Sequence, residues 1–284
     1  NAEDGHDDDE GKSWKKSIKS MSEALKRLKR GGAVYFYGKL REQGLVTPTG
    51  ITDVTIVGCG TKVRGGSTSV LSGPKGGSAN WARSDRDEVT SLIKVTQQGW
   101  RFKNIQLQGP IDGYSIHLIR NTGSETGDVN GFTAGYTEFD NCAFVGPNVY
   151  GILQEGGVNH ISIKNCVFYN FVNINNQAIG ERTGEGVGYP VMWEIINNSF
   201  LGNVVSIKAG LADSLIVNNK FWFKTFIAPN LQWPNPILDL SNGGCNFVNT
   251  NQFACVSSEA NKYLKKGADD FWGHNHFLDG TKLI

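Results

Sequence analysis

The sequence predicts an all-β fold: a right-handed, single-stranded parallel β-helix with a short N-terminal capping α-helix. Glycine accounts for 36 of the 284 residues and charged residues for only 19%. This composition suits short strands joined by tight turns, because glycine readily adopts positive φ. One strand pattern also recurs from the middle of the chain to its end, and a second pattern lies between its copies. Such repetition is typical of a solenoid of stacked coils.

The first pattern is an apolar-alternating strand, a polar residue near asparagine and then a large apolar residue. Its copies are WRFKNIQL (100–107), TEFDNCAF (137–144), ISIKNCVF (161–168), WEIINNSF (193–200), SLIVNNKF (214–221), NFVNTNQF (246–253) and a degraded DFWGHNHF (270–277). The final apolar residues run from Leu107 to Phe277, and their shortest spacings, 21 and 24 residues, indicate a bare coil. Longer spacings indicate the same coil with inserted loops. We expect Phe144, Phe168 and Phe200 to be buried and stacked.

The second pattern is a short apolar segment that ends in a glycine or polar turn. Its copies are YSIHLIRNTG, VYGILQEGG, NQAIGERTG, VVSIKAG, PILDLSNGG and NKYLKKG. Each coil therefore carries at least two strands at fixed offsets, which a β-hairpin cannot provide because the period is too long. Stacking like strands in parallel lets each coil bury the apolar face of its neighbour.

Asparagine recurs at one position of the first pattern, where the chain is expected to bend. Asparagine tolerates the left-handed conformation, and stacked amides can form hydrogen bonds along the column. Cys142 and Cys166 follow it at equivalent positions in successive coils, which favours an interior stack over a disulfide. The five cysteines lack CxxC spacing, so we expect buried thiols in a reducing compartment rather than zinc or redox sites. The column consists of Asn104, Asn141, Asn165, Asn197 and Asn218.

Residues 1–30 differ from the rest and are predicted to form an acidic segment and a capping helix, with the β-helix domain at 31–284. Apolar residues from Trp14 to Leu28 recur at helical spacing, with Ser13 as the expected N-cap. The Lys/Arg run could be a nucleic-acid patch, but we favour the solvated face of a helix that covers the first coil. The net charge of +1 gives no general attraction to nucleic acid or membrane. Because the chain begins at Asn1 without a signal-peptide region, we expect a processed chain or a fragment of a longer protein.

The opening of the chain resembles the pectate-lyase-like family, and phage tailspikes in particular. The acidic run at 7–9, the Ser17-Ile18 pair of the amphipathic segment and GGAVYF at 31–36 occupy the places of a tailspike opening. The run from VYFYGKLREQ to GWRFKNIQL is also similar to phage-encoded β-helix proteins, and the resemblance covers nearly the whole chain. It implies the fold and a virion origin, on the phage tail or capsid surface, but no particular chemistry, because this fold hosts lyases, hydrolases and adhesins.

Three functions are consistent with this reading. The first is a virion spike or fibre protein that binds host-surface polysaccharide, assembles as a homotrimer and contacts other virion proteins. The second is a polysaccharide depolymerase, either a lyase or a glycoside hydrolase. The third is a purely structural head or tail decoration. The sequence contains no convincing catalytic constellation, so enzymatic activity is left open.

Glu138 and Asp140 are the most obvious pair of carboxylates, since they flank inward-pointing Phe139 and share an outward face. Aligning the coils puts Glu138 next to Arg101 and Asp140 between two lysines. Opposite charges on neighbouring rungs favour a surface ion-pair ladder over catalysis.

Inserted loops are better candidates for a site, because binding residues usually lie on loops of a rigid scaffold. The insertions 121–135 and 180–190 follow the same strand type in different coils, so we expect them to wall a groove. Further loops are predicted at 64–88 and 228–236. Exposed aromatic rings can stack on sugars while Arg and carboxylates bind hydroxyls; variable surface loops or subunit contacts are the alternative. The glycan-binding candidates are Trp81, Arg182, Tyr189 and Trp233, and the weak catalytic candidates are Glu125, Asp128, Glu181 and Glu185.

No metal, cofactor, nucleic acid or membrane insertion is predicted. The acidic run at 7–9 lacks the spacing of a calcium loop, and no stretch of about 18 apolar residues could span a bilayer. His274 and His276 alternate on one expected strand face without a third ligand. Residues 280–284 resemble the start of another coil, so we expect neighbouring subunits, most simply around a threefold axis, or another virion protein to close that end. A plug formed by residues 274–278 is the alternative.

Overall fold

The computed structural model describes residues 1, 4–59, 80–82, 91–120, 133–172, 175–182, 189–222 and 236–283, with the backbone alone at 80–82 and 283. Its strands lie in three sheets, and each coil adds one strand to each sheet. Nearly every neighbouring pair is parallel. The prediction of a right-handed parallel β-helix is confirmed.

Sheet 1 contains nine of the described strands, in the spatial order β1 (Ala33–Phe36), β4 (Thr55–Gly58), β7 (Arg101–Lys103), β10 (Glu138–Asp140), β13 (Ser162–Lys164), β16 (Glu194–Ile196), β19 (Leu215–Val217), β22 (Phe247–Asn249) and β25 (Phe271–Gly273). Sheet 2 contains ten: β2 (Lys39–Leu40), β5 (Asn80–Ala82), β8 (Gln106–Gln108), β11 (Ala143–Val145), β14 (Val167–Tyr169), β17 (Ser199–Leu201), β20 (Lys220–Trp222), β23 (Gln252–Phe253), β26 (Asn275–Phe277) and β27 (Lys282–Leu283). Sheet 3 contains eight: β3 (Leu45–Val46), β6 (Ser91–Val95), β9 (Tyr114–Ile119), β12 (Tyr150–Glu155), β15 (Gln177–Arg182), β18 (Val205–Lys208), β21 (Leu238–Asp239) and β24 (Leu264–Lys265).

The core is organised around a column of phenylalanines on sheet 2. Phe144, Phe168 and Phe200 are fully buried. Neighbouring rings lie 4.5 and 4.8 Å apart between centroids and are nearly parallel. The stack continues through Phe221 to Phe253. The expected register and burial are both confirmed.

The asparagine column lies at the bend between sheets 1 and 2, where all five residues have φ between 55° and 59°. A second left-handed column, at the bend before sheet 1, contains diverse residue types. Three of the seven are Asp, but no single residue type occupies the column, so the sequence does not mark this bend as clearly as asparagine marks the other. Its members are Asp53, Tyr136, His160, Met192, Asp213, Cys245 and Asp269.

A buried polar ladder follows the first bend. Cys142 and Cys166 occupy its early positions as free, buried thiols, as expected. In later coils asparagine takes the same position, and each amide oxygen accepts the backbone N–H of the preceding rung, as Asn219 does from Asn198 at 2.9 Å. The ladder therefore satisfies backbone donors that would otherwise be buried without partners. Its asparagines are Asn198, Asn219, Asn251 and Asn275.

The N-terminal helix is shorter than predicted. Helix α1 spans Met21–Arg27, and its N-cap is Ser20, whose hydroxyl accepts the Glu23 N–H at 3.2 Å. Ser13 instead lies in an antiparallel bridge, and Trp14 is 53% exposed. The carboxylate of Asp7 accepts the Ser20 N–H and hydroxyl. It thereby holds the segment before the helix in a non-helical conformation.

Helix α1 buries Met21 and Leu25 in the same apolar core as Phe36 and Leu40 of the first coil. The helix therefore packs against the first coil, as a cap would. The boundary of the β-helix domain at residue 31 stays a prediction.

The C-terminal end also differs from expectation. Strand β27 turns back and pairs antiparallel with β26, so it does not begin another coil. Gly280 makes this possible with a φ of 76°. Nor does 274–278 form an irregular plug, because β26 stacks regularly on β23. A 3₁₀ turn at Ser257–Glu259 and helix α2 (Ala260–Tyr263) lead into β24.

Candidate functional site

The candidate site is the outer face of sheet 3 at strands β9, β12 and β15. The register aligns Ile119, Glu155 and Arg182 at the ends of these strands. Arg120 and Arg182, after which the two predicted insertions continue, therefore lie near the same edge, one coil on either side of β12. The insertion predicted at 180–190 starts later than expected, because residues 180–182 belong to β15. The groove between the two insertions stays a prediction, because residues 121–132 and 183–188 lie outside the described residues.

Four side chains meet there, and we refer to them as the sheet-3 cluster: Tyr114, His117, Glu155 and Arg182. The His117 Nε2 lies 2.8 Å from the Glu155 carboxylate. Arg182 lies 3.7 Å from the same carboxylate and donates to the Tyr114 hydroxyl at 2.7 Å. The Tyr114 ring packs edge-on against the imidazole, with centroids 5.3 Å apart. These contacts join residues from three neighbouring coils into one polar and aromatic surface.

The charge of the sheet-3 cluster follows from burial. Desolvation lowers the pKa of His117, although its hydrogen bond to Glu155 acts in the opposite direction. The imidazole is therefore neutral at neutral pH and donates its Nε2 hydrogen to Glu155, which can only accept. Arg182 thus provides the positive charge that faces Glu155. The cluster therefore presents an exposed guanidinium, supported from below by the buried Tyr114 phenol.

A polar cavity of about 350 Å³ adjoins the sheet-3 cluster along the stack. It opens on the same sheet, where β15, β18 and β21 are neighbours. Its polar lining residues, which define the polar cavity below, are Tyr150, Gln177, Glu181, Lys208, Asp239 and Asn242.

Glu181 is the most perturbed carboxyl group of the polar cavity. The register aligns it with Leu118 and Gln154, both of which are buried. Burial raises the pKa of Glu181, while hydrogen bonds from the Gly210 N–H, at 2.6 Å, and from Gln154 oppose the rise. A carboxyl group in such surroundings holds its proton to higher pH than usual and can act as a proton donor.

Asp239 is the second carboxyl group of the polar cavity and has different partners. Its Oδ1 accepts the Ser241 N–H at 3.1 Å and the Ser241 hydroxyl at 2.6 Å. Its Oδ2 lies 4.0 Å from the ammonium of Lys265. The two acids of the polar cavity thus occupy unlike environments, which is the usual arrangement for unlike roles.

The sequence-predicted candidates separate into three groups. Arg182 belongs to the sheet-3 cluster, Glu181 lines the polar cavity, and Tyr189, at the far end of the 180–190 insertion, is 60% exposed. Trp81 lies in β5 in register with Leu40 and Leu107, so it is in a strand and not in a loop. Glu125, Asp128, Glu185 and Trp233 lie outside the described residues.

Several residues of the site were missed from sequence. His117 and Asp239 each interrupt an apolar strand, in YSIHLI and PILDL, and Glu155 ends YGILQE. Aligning copies of the second pattern would have shown that these polar residues share a face. Their mutual contacts depend on coil stacking, since His117 and Glu155 are 38 residues apart.

The carboxylates of sheet 1 have structural partners, although only Glu138 pairs with its expected cation; Lys164, expected beside Asp140, pairs with Glu194. Glu138 lies 3.7 Å from Arg101 and 3.3 Å from Lys103. Asp140 accepts from the Asn165 amide at 2.9 Å. Both acids are therefore engaged on a flat outer face of the sheet.

Within the part of the chain that the structure describes, no three His, Cys, Asp or Glu side chains are grouped to hold a metal ion. His274 lies at the bend before β26, with a φ of 53°, and so does not share a strand face with His276 as predicted. No described helix is long and apolar enough to cross a membrane.

The fold is that of known parallel β-helix proteins. The Dettilon tailspike protein gp208 superposes with a TM-score of 0.54 at 15% identity, over 89% of this chain and 53% of that one. Tailspike gp49 of the Acinetobacter baumannii bacteriophage Fri1, a capsular polysaccharide depolymerase, superposes with a TM-score of 0.50 at 12% identity, over 88% of this chain and 53% of that one. This chain therefore spans about half the length of either tailspike. It has the pectate-lyase-like right-handed parallel β-helix fold.

A surface adhesin of Streptococcus pneumoniae, PfbA, is also similar, with a TM-score of 0.43 at 14% identity, over 91% of this chain and 67% of that one. No family model matches the chain, and no curated protein matches it.

Proposed function

We propose that this protein is a phage virion spike or fibre protein that binds host-surface polysaccharide through the outer face of sheet 3. The observation that carries the proposal is the combination of aromatic rings, a guanidinium and hydrogen-bonding side chains on the outer face of one sheet. Sugars are bound by rings that cover their apolar faces and by charged groups that bridge their hydroxyls. The tailspike-like opening of the chain supports a virion location, on the phage tail or capsid surface.

Assembly is part of the same proposal. A homotrimer in contact with other virion proteins would present several copies of the groove and increase avidity for a repetitive polymer. Light scattering on the purified protein tests this directly. A mass of three chains is expected, and a stable monomer would contradict it.

Glycan binding is tested on an array of bacterial surface polysaccharides. We expect binding to one or a few polymers, with at least a tenfold loss for Arg182→Ala, because the guanidinium engages both Glu155 and Tyr114. Lys220→Ala is the matched control, since Lys220 is an exposed cation on sheet 2. An array without any bound polysaccharide would contradict the function and favour a structural head or tail decoration.

The second candidate function is depolymerisation, and the raised pKa of the Glu181 carboxyl group, caused by its burial, favours it. Glu181 would donate its proton to the glycosidic oxygen as the carbon–oxygen bond breaks. Asp239 would take a proton from the water that adds to the anomeric carbon. The bound polymer is incubated with the protein, and new reducing ends are measured. Their loss in Glu181→Gln is expected for hydrolysis by this residue, whereas an intact polymer limits the protein to adhesion.

A further inference from the structure

The polar cavity contains hydrogen-bonding groups without partners of their own. Among the described residues, Lys208 takes part in no ion pair and no side-chain hydrogen bond. The side-chain oxygen of Gln177 is buried without a hydrogen-bond partner. A buried acceptor without a partner costs stability, so it is usually kept for a ligand or for water. Lys208 is exposed, so its ammonium is available to a ligand without losing a protein partner. The lining of the cavity therefore has one unused donor and one unused acceptor.

Two charged groups of the polar cavity stand side by side along the stack. Lys208 pairs in register with Gly180 on one side and with Asp239 on the other. Neighbouring strands are about 4.8 Å apart, so the Lys208 and Asp239 side chains leave the same face of sheet 3 within the span of one small ring. Adjacent hydroxyls of a sugar suit this spacing, because each hydroxyl can accept from the ammonium and donate to a carboxylate.

An aromatic wall completes the cavity. The ring of Tyr150 lies over Gly180 so closely that a Cβ at that position would be 2.3 Å from a ring carbon. Glycine is therefore required for the ring to lie against the strand. The Tyr114 ring meets Tyr150 edge-on at 5.4 Å and restricts its rotation. Tyr150 is thus held as a fixed surface against which the apolar face of a sugar can pack.

The size and charge of the cavity restrict the ligand. A volume of about 350 Å³ is near the lower limit of small-molecule sites and suits one sugar unit. The lining has one ammonium and the Asp239 carboxylate, besides Glu181, so an acidic sugar would bring a second negative charge beside Asp239. A neutral sugar brings no such repulsion.

We infer that the polar cavity is a subsite for one neutral sugar unit of a polysaccharide, whose adjacent hydroxyls bridge Lys208 and Asp239 while its ring packs on Tyr150. This inference rests on the proposed polysaccharide binding and specifies which class of sugar the protein recognises. The sheet-3 cluster, with its guanidinium at the rim, would contact the next part of the polymer. Gly180 is a positioning residue, because it allows the Tyr150 ring to lie flat.

The test combines saturation-transfer NMR on the whole chain with the polysaccharide array. The NMR probes are free glucose, galactose, mannose and N-acetylglucosamine, compared with glucuronate and galacturonate. We expect transfer to at least one neutral sugar and to neither uronate. The signal should fall at least about tenfold in Lys208→Met and Asp239→Asn, and should persist in the control Lys220→Met. In Gly180→Ala it should also fall, through displacement of the Tyr150 ring. Circular dichroism verifies that each variant is folded.

The possible results separate a failure of the subsite inference from a failure of the proposed function. If the wild-type protein binds a polysaccharide on the array but gives no Lys208-dependent signal with a neutral sugar, the subsite inference is wrong and the proposed function stands. A Lys208-dependent signal from a uronate would overturn the inference that the bound sugar unit is neutral. If neither the array nor the free sugars give binding, both proposals fail.

Discussion

At the scale of single residues, burial decides which of two identical side chains matters for stability. Phe168 is fully buried between Phe144 and Phe200, with both rings nearly parallel to its own. Phe271 stacks on Phe247 with similar geometry, but it is 53% exposed on the outer face of sheet 1. The comparison separates the effect of core packing from that of ring stacking.

We expect Phe168→Ala to lower the free energy of unfolding by about 3–5 kcal/mol, because it removes buried contacts and leaves a cavity. Phe271→Ala should lower it by less than about 1 kcal/mol. Chemical denaturation of both variants measures the two values. Equal losses would mean that stacking on the surface contributes as much as burial in the core.

Asn218 and Asn219, which are adjacent in sequence, also differ in burial. Asn218 lies at the exposed left-handed bend, while Asn219 is buried and belongs to the ladder. The Asn219 amide accepts the Asn198 N–H at 2.9 Å and donates to the Ile195 carbonyl at 2.8 Å. One substitution at each position therefore separates a bend from a buried network.

We expect Asn219→Ala to cost about 2–4 kcal/mol of unfolding free energy, since it leaves a buried donor and a buried acceptor unpaired. Asn218→Ala should cost about 1–2 kcal/mol, the strain of a left-handed alanine. Urea denaturation gives both numbers. A larger loss at Asn218 would assign the main role of these asparagines to the bend.

At the scale of elements, the regular coils were predictable and the two ends were not. The repeat of the Phe anchors reveals the register because every coil repeats the same apolar position. The start of α1 depends instead on non-repeated contacts, those of Asp7 with Ser20 and of Glu42 with the Met21 and Ser22 N–H groups. In the site, Arg182 was foreseen because it borders an insertion. Tyr114 was missed, since its contact with Arg182 spans 68 residues of sequence and arises only through stacking.

The C-terminal hairpin offers a pH-dependent test of one such end. The Asp279 carboxylate accepts the Ser257 N–H at 2.9 Å, the Ser257 hydroxyl at 2.8 Å and the Thr281 N–H at 3.0 Å. These hydrogen bonds, led by those from Ser257, lower the pKa of Asp279 from 3.8 to about 2. The ionised form is therefore favoured by the folded hairpin.

A lowered pKa stabilises the folded state above the unfolded pKa of 3.8, and the contribution is lost as pH falls toward about 2. We therefore expect Asp279→Asn to destabilise the hairpin at pH 7 and to make little difference at pH 2. Hydrogen exchange of the β26 and β27 amides at both pH values measures this. A destabilisation of the same size at pH 2 would mean that the carboxylate charge is not what closes the turn.

At the scale of the whole molecule, each coil contacts chiefly the coils before and after it. The strand order of every sheet follows the chain, from β1 to β25 in sheet 1 and from β3 to β24 in sheet 3. The axial stacks, such as the Phe column and the buried asparagine ladder, are the features that link distant coils. Stability in such an array is close to a sum of coil and interface contributions, so the middle is protected by neighbours on both sides.

We therefore expect amide hydrogen exchange to be slowest in the central coils, from β10 to β17, and faster toward β25 and β26. Phe168→Ala should speed exchange most in β11, β14 and β17, because Phe168 touches the rings of both neighbouring coils.

The same exchange measurement, repeated at several protein concentrations, tests whether the protein assembles through its C-terminal coils. If a homotrimer buries the C-terminal coils, β26 and β27 should become as protected as the centre at high protein concentration and lose that protection on dilution. Uniform protection that falls equally in every strand of Phe168→Ala would show one globally cooperative unit and contradict the additive stack.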